Sequence, residues 1–196
     1  IRIEEVFQTD IAIENQLVRQ NRIRDYKGAL IRLYDGRKWY YAATTDLDRL
    51  QEELDQLARL ADYSATVSES AVVRKFEVNQ AEVLLYEKNC VRDVPRQDKL
   101  DLVQAYSDVC AQYPQISMAK AYYKESYEVK RYISSKGSDL VFDYQSASVS
   151  IRYNLTSGEK QGRGSKDFLR QEFTGLAGHE AVLQAEIEKD IAFMEE

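Results

Sequence analysis

His179 is the only imidazole in 196 residues, and Glu180 follows it directly. The pair opens like His-Glu-x-x-His, in which two imidazoles one helical turn apart grip a zinc ion. Four residues on stands Leu183 and five on stands Gln184, so neither that spacing nor its one-residue-longer variant is completed. One imidazole beside one glutamate does not supply the three protein ligands of an ordinary catalytic zinc site. The residues read instead as the start of a helix near the surface.

A second candidate is TSGEKQGRGSKDF, which has glycines followed by Ser165-Lys166. A phosphate loop needs Gly-x-x-x-x-Gly-Lys-Ser/Thr, with the lysine ahead of the hydroxyl and a helix opening directly after it. Gly164-Ser165-Lys166 reverses that order, so a hairpin end carrying basic side chains is the expectation. The carboxylate pairs Glu4/Glu5, Glu52/Glu53 and Asp139/Asp143 have the composition for acid–base work. Without an environment that raises one pKa they read as solvated faces. No serine occupies a Gly-x-Ser-x-Gly elbow. Cys90 and Cys110 lack Cys-x-x-Cys spacing and read as small, partly buried side chains. Asn154-Leu155-Thr156 matches a glycosylation acceptor, a pattern that carries little weight without evidence of secretion. No catalytic, cofactor-binding or metal-binding residue is therefore assigned.

The tyrosines say more. Of the chain's 14, Tyr40, Tyr41, Tyr122, Tyr123, Tyr127, Tyr132, Tyr144 and Tyr153 fall in expected strands. A phenol ring gives apolar contact while its hydroxyl reaches a polar partner. Two readings remain open for them, packing within a sheet and an interdomain or subunit surface.

The elements that would position these residues follow from periodicity. RIEEVF and DIAIENQLV read as short strands, and GALIRLYDGRKWYYAA as a hairpin turning at Asp35-Gly36 in a two-residue loop. From Asp46, Leu47, Leu50, Leu54, Leu57, Ala58 and Ala61 form one apolar helical stripe, with Thr45 or Asp46 as its cap. AEVLLYEKN looks like a strand. A helix capped by Asp98 follows, with Leu100, Val103 and Val109 facing inward, and Pro114 stands past its end. From Ile116 the period is two, giving long antiparallel strands that turn at Lys136-Gly137 and Ser157-Gly158. A closing helix from about Gly178 buries Val182 or Leu183, Ile187, Ile191 and Met194. The fold class is α+β, with mixed or antiparallel sheets and amphipathic helices on one face. The organisation expected is a strand-rich unit at 1–62 closed by a helix, a linker or excursion at 63–80, and a second α+β unit at 81–196.

Composition narrows the function classes. With 27 basic and 33 acidic side chains the net charge is −6, which argues against a nucleic-acid partner. No run of 18 apolar residues is present, so no membrane partner is expected. The chain opens IRIEEVFQ, which fits either a processed precursor or a stretch from inside a longer protein. The cysteines are compatible with a reducing compartment, and a cytoplasmic location is the expectation.

One arrangement is recognisable. In LVRQNRIRDYKGALIRLYDGRKWYYAATTDLDRL, Gly28, Arg32, Asp35-Gly36, Tyr41-Ala42 and the leucine helix from Asp46 follow in an order that resembles the N-terminal domain of the TldD/PmbA family, also called modulators of DNA gyrase. YISSKGSDLVFDYQSASVSIRY looks like the family's second region. The resemblance implies the noncatalytic N-terminal portion of a zinc metallopeptidase about twice this length. Such a protein acts in homo- or hetero-oligomers on peptides or partly unfolded proteins, and its zinc motif lies downstream. This chain would then hold no cofactor itself and would help shape the substrate chamber and subunit contacts. The alternative is a stand-alone protein-binding or assembly module with a tyrosine-rich sheet surface.

Overall fold

The computed structural model describes residues 1–62 and 64–195; Tyr63, the first residue of the expected linker, lies outside them. Alternating sequence becomes seven strands: β1 (Arg2–Glu14), β2 (Leu17–Tyr34), β3 (Trp39–Thr44), β4 (Gln80–Val83), β5 (Ile116–Ile133), β6 (Asp139–Ser157) and β7 (Lys160–Arg170). Four helices accompany them: α1 (Leu50–Leu60), α2 (Ala71–Arg74), α3 (Arg96–Ala111) and α4 (Glu180–Glu195). The strands form one sheet in the order β3-β2-β1-β5-β6-β4, with β7 also on β6. β3 on β2 and β7 on β6 are antiparallel, whereas β4 runs parallel to β6. This is the α+β class with a mostly antiparallel sheet.

Two compact units divide the chain, and β1, β2, β5 and β6 each give residues to both. Ile1–Val6, Asp25–Leu85 and Glu128–Tyr144 form the first. Its antiparallel register sets Ile31 opposite Ala42 and Leu33 opposite Tyr40. The turn spans Asp35 to Lys38, two residues longer than the spacing predicts. Asp35 Oδ1 accepts hydrogen bonds from the backbone N–H groups of Arg37 (2.8 Å) and Lys38 (2.9 Å). Gly36 sits at φ +101°, which a side chain adopts only with strain. Trp39 lies 4.9 Å from the Tyr34 ring centroid and edge-on to Phe76. In α1 only Leu57 of the expected stripe is fully buried. Asp46 makes no side-chain cap; its own N–H is instead bonded to Thr44 Oγ1.

Phe7–Arg24, Tyr86–Tyr127 and the chain from Gln145 onward form the second unit. The first expected strand and the Asp10–Glu14 part of the second are one uninterrupted β1, and the second expected strand is broken by a tight turn at Asn15 (φ 47°) and Gln16 (φ 67°), after which Leu17 begins β2. That turn is anchored: Asn15 Oδ1 accepts the Ala119 N–H and Gln16 Nε2 donates to Ser107 O, both at 2.8 Å. From Phe7 to Ile13, Ala119 to Tyr127 and Gln145 to Leu155 the odd-numbered residues are buried, among them Ile11, Ile13, Tyr123, Val149, Ile151 and Tyr153. α3 covers them with Leu102, Val103, Tyr106 and Val109, and α4 with Leu183 and Ile187. Each such aliphatic side chain contributes about 1.5–3 kcal/mol on burial.

α3 starts after Pro95, with Asp98 inside its first turn and not at the cap. Its inner face carries Lys99, and Leu100 is only partly covered. The turns at Gly137 (φ 104°) and Gly158 (φ 60°) fall where the sequence places them, and α4 buries Leu183, Ile187 and Met194 as expected.

Candidate functional site

The candidate zinc residue is engaged in packing. The His179 ring stacks 5.0 Å from Phe168 at an interplanar angle of 10°, and Phe168 stacks in turn on Tyr106 at 5.3 Å. His179 Nε2 lies 3.1 Å from Gly175 O. Tyr106 donates its hydroxyl to Leu176 O at 2.5 Å, and burial pushes that phenol up to about 12. These contacts pin the turn that leads into α4. Among the described residues no three His, Cys, Asp or Glu side chains converge as metal ligands. The residues around His179 do not fit a zinc ion, since Nε2 faces Gly175 O, one ring face stacks on Phe168, and no further ligands converge on it among the described residues.

Ser165 and Lys166 lie inside β7, opposite Arg152 and Ile151 of β6, so no loop is available to wrap a phosphate. Lys166 Nζ reaches Glu186 Oε2 of α4 at 3.0 Å. Gly164 serves packing: a Cβ there would fall 2.2 Å from the Tyr153 ring and 2.3 Å from Asp190 Oδ2. Tyr153 uses the space to donate to that same oxygen at 2.6 Å. The carboxylate pairs are dispersed into separate interactions. Glu4 meets Arg2, Glu5 meets Lys27, Glu52 meets Arg49, and Asp139 meets Arg131. Asp143 accepts the Leu85 N–H at 2.7 Å. Both cysteines are free and buried, and desolvation pushes the Cys110 thiol up to about 11. The glycosylation match lies within β6, where Leu155 is buried.

The sequence reading missed a polar cluster beneath α3. Lys99 Nζ lies 2.5 Å from Glu125 Oε1, with side-chain exposures of only 3% and 0%. Tyr123 donates its hydroxyl to Glu125 Oε2. Burial and that adjacent carboxylate push the phenol's ionisation far upward. Lys99 also sits over the Phe7 ring at 5.4 Å, and the Arg92 guanidinium over Tyr127 at 4.9 Å. Thr9 Oγ1, in the same unit, is buried without a hydrogen-bond partner. The signal was present in β5: Glu125 interrupts the set Ala119, Ala121, Tyr123 and Tyr127 that otherwise lines the buried face. Both ionic members are shielded from solvent and satisfied by each other, which suits the cluster to fixing α3 on the sheet and not to turning over a substrate.

The eight strand tyrosines divide. Tyr123, Tyr127 and Tyr153 are buried, whereas Tyr41 and Tyr144 are at least half exposed.

The comparisons with known proteins agree with this architecture. Residues 1–65 match the model for PmbA/TldA metallopeptidase domain 1, and residues 90–187 match the PmbA/TldA metallopeptidase central domain. The chain belongs to the TldD/PmbA metallopeptidase family. Among solved structures, a candidate modulator of a DNA gyrase from Thermotoga maritima is similar over 97% of this chain and 43% of its own, with TM-score 0.74 and 14% identity. A candidate modulator of DNA gyrase from Bacteroides thetaiotaomicron covers 97% and 44%, with TM-score 0.71 and 15% identity. TldE from Thermococcus kodakarensis covers 99% and 43%, with TM-score 0.66 and 10% identity. At such identities the likeness is one of fold. The chain thus spans less than half the length of these solved proteins. No curated protein matches it.

Proposed function

We propose that this chain is the noncatalytic N-terminal portion of a TldD/PmbA-like zinc metallopeptidase, contributing walls of the substrate chamber and subunit contacts while the zinc-bearing half lies downstream. The observation that carries the reading is coverage. Residues 1–65 and 90–187 match the first and central domains of the family, and 97–99% of the chain superposes on solved relatives of which it accounts for only 43–44%. The engagement of His179 in a ring stack supports the assignment of the metal to other residues. Peptides or partly unfolded proteins are the substrates this reading implies for the longer protein, acting as a homo- or hetero-oligomer.

The test compares this 196-residue chain with the product of its uninterrupted coding sequence, each supplied with zinc and a fluorescently labelled unstructured polypeptide. Hydrolysis by the longer product alone is the expected result, with light scattering showing it as an oligomer. Robust turnover by the short chain, surviving removal of contaminating protease, overturns the reading. So does a coding sequence that ends without a zinc motif.

A further inference from the structure

In the second unit the helices cover one face of the sheet only. Lys99 of α3 reaches Glu125 and Asp190 of α4 reaches Tyr153, both on odd-numbered positions of β5 and β6. Even-numbered positions of β1, β5 and β6 point the other way, since strand side chains alternate. They are at least partly exposed from Gln8 to Glu14, from Met118 to Ser126 and from Ser146 to Asn154.

This uncovered face is largely polar, with Leu169 exposed opposite Ser148, and carries more cations than carboxylates. Three ion pairs lie on it: Arg24 with Asp10 (3.6 Å), Lys120 with Glu14 (3.1 Å) and Arg152 with Asp167 (2.9 Å). Three further cations add to them. Lys124 alternates with Lys120, Arg22 lies two residues from Arg24 on the same strand, and Arg163 stands opposite Asn154. Six cations against three carboxylates give a positive surface on a chain whose net charge is −6. An open groove of about 350 Å³ on it is lined by Arg24, Lys124 and three serines, together with Asp10, which pairs with Arg24, and Glu125, whose side chain is buried against Lys99.

We infer that this face is a docking surface for an acidic, extended polypeptide segment. Surplus cations spaced along neighbouring strands complement carboxylates spaced along an extended chain. Ser148 Oγ donates to Lys124 O, which leaves its lone pairs to accept from backbone amides of a docked segment. A nucleic acid fits less well, because its unbroken row of phosphates would meet Asp10, Glu14 and Asp167 among the cations. The inference stands on the charge and geometry of this chain and does not depend on its being part of a peptidase.

The test uses the 196-residue chain and labelled peptides about a dozen residues long, of Glu/Ser, Gln/Ser and Lys/Ser composition, in fluorescence anisotropy. The Glu/Ser peptide should bind, the other two should not, and affinity should fall steeply between about 50 and about 300 mM salt as the Debye length shortens. Charge reversal at two of the three exposed surplus positions, Arg22→Glu with Lys124→Glu, should weaken binding roughly tenfold or more. Arg74→Glu with Lys75→Glu, both exposed in the other unit, carries the same change in net charge and should leave binding unchanged. Equal binding of the Gln/Ser peptide, or undiminished binding by the Arg22→Glu, Lys124→Glu double variant with an unchanged circular dichroism spectrum, overturns the inference. Tighter binding of a single-stranded oligonucleotide of similar length, lost in the same double variant, replaces the acidic polypeptide with nucleic acid and equally overturns it.

Discussion

Replacing Lys99 by methionine removes a charge but little volume, and the structure makes its cost calculable. The ammonium and carboxylate lie 2.5 Å apart with both side chains almost wholly out of water. At an effective dielectric constant of about 20 their attraction is roughly 6–7 kcal/mol. Desolvating the two ions costs several kcal/mol each, so the intact pair is close to neutral for stability. Lys99→Met keeps the cost on Glu125 and discards the compensation, leaving the carboxylate with the Tyr123 hydroxyl alone. Breaking a buried pair in this way costs about 3–5 kcal/mol, a large part of the roughly 5–15 kcal/mol that holds a domain folded. Urea denaturation followed by far-ultraviolet circular dichroism reads the loss directly. The double variant Lys99→Met with Glu125→Gln removes both charges and keeps an acceptor for Tyr123, so it should recover about 2 kcal/mol or more of that loss. A single variant within about 1 kcal/mol of the native chain, or a double variant no more stable than the single, would refute the reasoning.

Three other perturbations test separate parts of the structure. Thr9→Val replaces an unbonded buried hydroxyl by a methyl of similar shape and should stabilise by about 1 kcal/mol in the same urea assay; a loss of that size would show that the hydroxyl has a partner. Gly164→Ala pushes a Cβ into the Tyr153 ring and should lower thermal stability by at least about 2 kcal/mol, measured by calorimetry, with an unchanged melting temperature counting against the close approach. The Asp35 carboxyl is held down at about 2, chiefly by the backbone N–H groups of Lys38 and Arg37. Its folded-state value is depressed, so the stability it supplies is complete above about pH 4 and is lost as pH falls through about 2. Asp35→Asn should therefore flatten the acid limb of stability between those values, and an identical acid limb in both proteins would be the contrary result.

Much of the fold was legible because it is local. Alternation in Ile116–Ile133 and Asp139–Ser157 depends only on successive side chains pointing to opposite faces, and the turns at Gly137 and Gly158 on a residue that tolerates positive φ. The stripe of α4 is similarly a matter of helical period. The N-terminal hairpin was harder to see. Its turn residues, Asn15 and Gln16, include no glycine, and what holds them is bonding to Ala119 and Ser107 far along the chain. The four-residue turn after Tyr34 also exceeds its sequence signal, since the Asp35 carboxylate organises backbone amides two and three residues on.

The candidate chemistry shows the same division. By itself the sequence determined that no complete zinc motif surrounds His179, that the order Gly164-Ser165-Lys166 is wrong for a phosphate loop, and that the TldD/PmbA pattern is present. Only the tertiary structure decided what those residues do instead: His179 stacks on Phe168, and Gly164 makes room for Tyr153. It alone turned Lys99 inward where helical period favoured Leu100 as an inner residue, because the cost of burying an ammonium depends on whether a carboxylate waits for it. That carboxylate, Glu125, is 26 residues away in sequence and 2.5 Å away in space.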